Sequence, residues 1–374
     1  MKSNYDVLGN HIRLIDTRNK ENITDRVLGI NIDKYFMPSV ANVIGTDLSK
    51  YKLISKGKFA CNPMHVGRDE RLPVALYEEE TPAIVSPAYF MFEVINNSIL
   101  NEDYLMMWFR RPEFDRICWL HTDGSVRGGI TWDDICRLEV PVPSMQEQLE
   151  IVNSYKAITE RIELKKKIND NLEATAQAYF DSLFVDDAEP DCTLADIALV
   201  NPIRQLAKGI EARCFEMATL PTSGCIPTGD YIKPYNGGVR FINGDTLIAR
   251  ITPCLENGKA AYINILSDGE VAFGSTEYIV FAAKNNMPSC FYYFLIRNAK
   301  FVTFALQFMN GSSGRQRVSG EELASFPLTR PSNEKLKAFD KVGSMVLEQM
   351  KDNTIEIQKL KQLQEMITAT ISSR

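Results

Sequence analysis

The sequence predicts an α+β protein in which one unit is written twice: a mixed α/β domain followed by a long helix, then the same pair again. Three observations predict it. Local matches recur along the chain at an offset of 186–189 residues. Two sustained heptad seams stand 188 residues apart. Each seam follows a domain-sized stretch of short, aromatic-rich apolar runs broken by turn residues. A chain of 374 residues with 45% hydrophobic content has material for two sizeable cores. A duplication of this kind points to a protein that holds two recognition sites apart.

The matches run in order along the chain. Leu8-Gly9 pairs with Leu194-Ala195, and Gly57 with Gly244. Ser86-Pro87-Ala88-Tyr89 pairs with Ser275-Thr276-Glu277-Tyr278, and Phe109-Arg110 with Ile296-Arg297. Phe114 pairs with Phe301, Gly124-Ser125 with Gly311-Ser312, and Pro143-Ser144 with Pro331-Ser332. No single match decides. Their collinearity, drifting by only three residues, does. It divides the chain into a first domain over 1–143, a first long helix over 144–186, a second domain over 187–331 and a second long helix over 332–374.

Within the domains, Tyr89–Val94 and Tyr278–Phe281 predict buried strands, because aromatic and β-branched residues suit a pleated surface. Asn243-Gly244 between apolar stretches predicts a hairpin turn. Asp103–Arg110 and Ser289–Arg297 predict short helices with apolar faces. A Gly/Ser/Arg loop follows in each copy, over 124–129 and 311–317. Between these anchors the copies diverge: Asn62–Arg71 in the first has no likeness to Ile251–Lys259 in the second. A shared scaffold with divergent loops fits two readers of different targets.

The long helices carry the strongest periodicity. Ile151, Tyr155, Ile158, Ile162, Lys165, Asn169, Leu172, Ala176, Tyr179 and Leu183 alternate by four and three. Adding 188 gives Phe339, Gly343, Val346, Met350, Asn353, Ile357, Leu360, Gln364, Ile367 and Ile371. Ser144 and Glu147 form a capping box for the first helix, which must stop before Pro190. Ser332 caps the second, where Lys335 replaces the glutamate. An amphipathic helix usually packs on its own domain. This seam spans 32 residue steps, roughly 48 Å at ~1.5 Å per residue, which is long for that purpose. The helices are therefore expected to pair with each other as an antiparallel coiled coil with pseudo-twofold symmetry. Ile151, Tyr155, Ile158, Ile162, Leu172, Tyr179, Val346, Met350, Ile357, Leu360 and Ile367 would form the contact. Lys165, Asn169, Asn353 and Gln364 would set the register.

Composition and missing motifs exclude several functions. Eight scattered cysteines without a CxxC pair read as reduced thiols. The N-terminus lacks the apolar core of a signal peptide, and no stretch approaches the ~18 apolar residues of a membrane span, so a cytoplasmic, non-membrane protein is expected. There is no Rossmann glycine pattern, no P-loop and no HExxH. Asn62-Pro63-Met64-His65 lacks the second proline and the aromatic of an amino-methyltransferase motif, and Glu256–Lys259 lacks nuclease spacing. No catalytic residue, metal site or cofactor is expected in this chain.

The polar loops suit DNA better. Arginine reads guanine bidentately, and hydroxyls, amides and glycine backbone hold phosphates. Arg68, Arg71, Ser125 and Arg127 in the first copy are the candidates, with Arg250, Lys259, Ser312, Arg315, Gln316 and Arg317 in the second. Each could equally serve as a solvated charge or an internal ion pair. The net charge of −6 argues against a chain-wide basic surface and points to basic partners.

The chain resembles the DNA-specificity subunit of Type I restriction–modification systems. The resemblance rests on the tandem organisation, on Gly57–Arg68 followed by Ile84–Tyr89, on Gly244–Arg250 with Gly314-Arg315, and on the proline-bounded strands before each long helix. It implies two target-recognition domains, each reading one half of a bipartite double-stranded DNA target. It implies helices that act as a ruler and dock two modification subunits. S-adenosylmethionine, ATP and Mg would then belong to the partners, the ATP to restriction subunits that translocate and cleave. Two half-sites read from one DNA face lie about one turn apart, roughly 34–36 Å. The competing readings are a self-contained methyltransferase or nuclease, and a coiled-coil scaffold with no DNA role.

Overall fold

A computed structural model describes residues 4–41, 43–64, 66–122, 128–185, 189–312 and 314–371. The chain forms two compact units, residues 1–160 with 360–374, and residues 161–359.

In the first unit the strands are β1 (Tyr5–Val7), β2 (Ile12–Leu14), β3 (Val27–Ile30), β4 (Phe36–Pro38) and β5 (Lys52–Ile54). They continue as β6 (Phe59–Cys61), β7 (Val74–Leu76), β8 (Ala83–Val85), β9 (Phe90–Val94) and β10 (Glu139–Pro141). The helices are α1 (Val66–Asp69), α2 (Glu102–Phe109), α3 (Pro112–Leu120) and α4 (Trp132–Cys136), and the chain then enters α5 (Met145–Phe184). One sheet has the order β2-β9-β6-β7 and another β4-β3-β8-β5, while β1 pairs with β10. Strand β3 runs parallel to β8; the other pairings are antiparallel.

The second unit repeats this strand for strand. Its strands are β11 (Cys192–Thr193), β12 (Ala198–Val200), β13 (Glu211–Phe215), β14 (Tyr231–Pro234) and β15 (Val239–Phe241). Then come β16 (Thr246–Ala249), β17 (Ala260–Tyr262), β18 (Ala272–Gly274), β19 (Tyr278–Ala283) and β20 (Pro327–Leu328). The sheets are β12-β19-β16-β17 and β14-β13-β18-β15, with β11 on β20, and β13 parallel to β18. After α6 (Leu194–Ile197), α7 (Cys290–Arg297), α8 (Ala299–Gln307) and α9 (Gly320–Ala324) correspond to α2, α3 and α4, and α10 (Asn333–Thr370) corresponds to α5.

Local chemistry explains the repetition. Helices α4 and α9 each start on a capping box, Thr131 with Asp134 and Ser319 with Glu322. The central strands β6 and β16 are buried on both faces, so they read as unbroken apolar runs rather than alternating ones. In the first unit, Phe59, Phe92, Trp108, Phe109 and Phe114 form the core against α2 and α3. In the second, Phe291 and Phe294 of the helix Cys290–Arg297 pack with Phe180 and Phe339 of the two long helices.

One expectation is corrected. Asn243-Gly244 does not close a hairpin: β15 pairs with β18, and β16 with β17 and β19, in different sheets. The turn carries the chain from one sheet to the other. Asp245, 2% exposed, pins it by accepting from the Ile242 N–H at 2.9 Å and from Arg204 at 2.7 Å. Burial pushes the Asp245 carboxyl above its usual range, and Arg204 opposes that shift.

Helices α5 and α10 pack antiparallel. In the second unit, Lys165 bonds Asn353, Asn169 bonds Asn353 and Met350, and Phe180 meets Phe339 edge to face. Position numbers rise on one helix as they fall on the other, and Lys165 meets its own equivalent, Asn353. Ile162, Val346, Met350 and Ile357 are buried here, and Leu172 and Tyr179 half-buried. In the first unit, Gln364 donates to Thr159 at 2.7 Å, and Ile151, Tyr155 and Ile367 pack on a cluster holding Val152 and Ile371. Ile158 and Leu360 are half-buried. The capping box predicted at Ser144 and Glu147 is formed, and Ser332 accepts from the Lys335 N–H.

Candidate nucleic-acid interface

Each unit brings the same two loops together: the one after its central strand and the one before its capping-box helix. In the first unit, the loop from β6 to β7 meets residues 128–130, where Gly67 N–H donates to Gly128 O at 3.0 Å and Ile130 N–H to Pro63 O at 3.2 Å. In the second, the loop from β16 to β17 meets residues 316–318 through Thr252 N–H to Gln316 O and Val318 N–H to Arg250 O, both 3.0 Å. The divergent segment thus meets residues 128–130 in the first unit and the Gly/Ser/Arg loop in the second.

In the first unit, Arg68 sits on α1, exposed and bidentate on its neighbour Asp69 at 2.6 and 2.9 Å. Arg71, also exposed, pairs with Asp33 at 3.1 Å. Ser125 and Arg127 lie outside the described residues. A buried pair holds the loop from beneath: Asp115 accepts from the Leu72 N–H at 3.0 Å and from Lys34 Nζ at 2.7 Å. Lys34 is 4% exposed, and its ammonium lies 4.9 Å from the Phe114 ring centre. Burial lowers the Lys34 pKa, with Asp115 opposing. Lys34 closes the turn of the β3–β4 hairpin, so one side chain ties that hairpin to α2 through Phe109 O and to α3 through Asp115.

In the second unit the structure gathers Arg250, Gln316 and Arg317. Arg317 clasps Glu277 with three bonds of 2.8–3.0 Å. That guanidinium, with a smaller contribution from Arg250, holds the Glu277 carboxyl below its usual range. The buried Nε of Arg250 has no hydrogen-bond partner among the described residues. Gln316 is fixed through its backbone to Thr252. Arg315 and Ser312 are exposed on the adjoining turn, joined by a 3.0 Å backbone bond. Lys259 stands apart: its Nζ donates inward to Met217 O at 2.7 Å and braces the loop's base. Sequence reasoning missed Lys34, Asp115 and Glu277. Glu277 lies inside a repeat anchor, but its partner is 40 residues away and nothing local marks the pair.

Among the described residues no group of three or more His, Cys, Asp or Glu could hold a metal ion. Among them also, no helix is long and apolar enough to cross a membrane.

The family model of the Type I restriction modification DNA specificity domain matches residues 228–367. The EcoEI specificity subunit of Escherichia coli, a Type I restriction enzyme component, is 30% identical over 152 residues, which are 38% of this chain and 25% of that protein. The HindI specificity subunit of Haemophilus influenzae is 26% identical over 186 residues, 48% of this chain and 40% of that one. Over residues 228–367 the chain is thus similar to the Type I restriction modification DNA specificity domain. It spans well under half the length of these two relatives. The fold is that of the Type I S subunit from M. genitalium, with a TM-score of 0.60, 14% identity, and 98% and 95% of the two chains covered. The family-model match holds both candidate loops of the second unit and most of α10. The first unit joins the comparison through its fold, since its sheets repeat those of the second.

Proposed function

We propose that this chain is the sequence-specific DNA-binding subunit of a Type I modification and restriction complex. In this reading the domains over 1–143 and 187–331 each read one half of an asymmetric bipartite target. The helices over 144–186 and 332–374 set the half-site spacing and dock two modification subunits, which bring S-adenosylmethionine. Restriction subunits add ATP- and Mg-dependent translocation and cleavage. The chain itself supplies recognition and no catalysis.

One observation carries the proposal: the same two loops meet in each of two identically wired units, yet their sequences differ. Identical scaffolds with different loop side chains would present different donors and acceptors to the major groove. Arg68, Arg71, Ser125, Arg127, Arg250, Ser312, Arg315 and Gln316 are the residues proposed to face DNA, with Arg317 and Lys259 in supporting ion-pair and bracing roles. Mapping methylated positions in the source genome tests this. The expected result is a two-part, non-palindromic target that disappears when the chain is deleted. Methyl transfer by the purified chain alone, or a single continuous target, overturns it.

A further inference from the structure

Arg297, the last residue of α7, turns its guanidinium toward backbone rather than solvent. Nη1 donates to Gly258 O at 2.8 Å and Thr222 O at 3.1 Å, and Nη2 donates to Gly224 O at 3.1 Å. The group lies 5.3 Å from the Tyr293 ring centre, and Nε is 3.6 Å from the Glu173 carboxylate of α5. The Tyr293 hydroxyl bridges Glu173 and Gly224 O, and the Gly224 N–H reaches Glu173 at 3.4 Å. Only 15% of the Arg297 side chain is exposed. A planar fork with five donors can hold three carbonyls at once, which a lysine ammonium cannot do in the same geometry.

One of those carbonyls belongs to the turn between β16 and β17. That turn is closed by its own backbone: Leu255 N–H to Ile251 O, Asn257 N–H to Pro253 O, Gly258 N–H to Leu255 O and Lys259 N–H to Cys254 O, all 2.9–3.0 Å. Leu255 is buried at its base, while Glu256 and Asn257 are exposed at its tip. Gly258 has φ +71°, a left-handed conformation that favours glycine, and a Cβ there would lie within ordinary contact distance of Arg297 Nη1, at 3.4 Å.

We propose that Arg297 is a positioning residue that locks the 251–259 turn onto α5 through Tyr293 and Glu173, and that Asn257 at the tip is a base-reading side chain for the second half-site. This rests on the DNA-reading function proposed above. An asparagine amide offers one donor and one acceptor, the pair that matches adenine N7 and N6 in the major groove. Discrimination by so short a side chain depends on a backbone already held in place.

The test uses the full chain co-expressed with its modification subunits, with genome-wide mapping of methylated positions for wild type, Asn257→Ala, Arg297→Lys and Tyr293→Phe. Asn257→Ala is expected to lower discrimination about tenfold at one base pair of the second half-site. Arg297→Lys is expected to loosen several base pairs of that half-site, and Tyr293→Phe to do so less, while the first half-site keeps wild-type discrimination. Tyr293→Phe and the exposed Asn257→Ala keep the test decisive if Arg297→Lys fails to accumulate. Unchanged discrimination in the variants, or equal loosening of both half-sites with a lowered melting temperature, overturns the proposal. A wild-type chain that yields no bipartite target overturns the underlying reading instead.

Discussion

Asn353 is 2% exposed on the contact between α5 and α10, yet both ends of its amide are satisfied. Its Oδ1 accepts from Lys165 at 2.8 Å and Gln349 at 3.3 Å, and its Nδ2 donates to Asn169 Oδ1 at 2.8 Å. A polar group in such a seam lowers stability relative to an apolar one but allows only the register in which it finds its partners. Asn353→Ala strands the buried Asn169 carbonyl and is expected to lower stability by about 1–3 kcal/mol, read by urea denaturation. Replacing Asn353 and Asn169 together by leucine should recover that loss while permitting alternative registers, visible as extra species in cross-linking. Equal stability of Asn353→Ala and wild type would remove the role assigned to this pair. The heptad pattern marks Lys165, Asn169, Asn353 and Gln364 in the sequence; which of them touch is decided by the antiparallel register, because Lys165 and Asn353 are far apart along the chain.

At the scale of elements, the two domains are started and stopped by the same short signals. The capping boxes of α4, α6 and α9 use Asp134, Asp196 and Glu322. All three carboxyls are held below their usual range by hydrogen bonds, from the Thr131 side chain, the Thr193 backbone and the Ser319 backbone respectively. A depressed folded-state pKa means that the unfolded chain binds more protons. These groups therefore add stability above the ordinary carboxylate pKa, and the contribution is lost as pH falls through the lowered values. Glu322→Gln is expected to give a shallower acid limb in a pH series of denaturation midpoints, with a small loss at neutral pH; an unchanged limb contradicts the assignment. Ser144 with Glu147 was legible from spacing alone, because a capping box is local. The Asn243-Gly244 turn was misread because the same dipeptide serves a hairpin and a sheet-to-sheet crossing, and the paired residues of the strands that distinguish them lie 12 to 35 residues apart.

For the whole molecule, the proposed spacer role of the helices and the proposed independence of the two domains make separate predictions. Inserting one heptad within 151–183 adds ~10 Å of helix at ~1.5 Å per residue. It is expected to weaken pairing or lengthen the gap between methylated half-sites; full activity with the original gap refutes the ruler. Exchanging residues 1–143 for the matching domain of another family member should alter one half of the mapped target and leave the other intact. Change in both halves would contradict two independent readers.

Duplication, the long helices and their heptad seams follow from the sequence by itself, because periodicity and offset are properties of the linear chain. The divergent loops were also visible there, as failures of an otherwise collinear match. Tertiary structure alone decided which of their side chains are already engaged. Arg68, Arg71 and Arg317 look alike as loop arginines, but each is paired with a carboxylate in the fold. Arg297 looks like the end of an ordinary amphipathic helix, yet it gathers three carbonyls from two separate loops. Apart from Arg68 on its neighbour Asp69, such contacts join residues 38 to 75 apart in the chain. Their energies depend on distance and burial in space, which no local pattern of residues encodes.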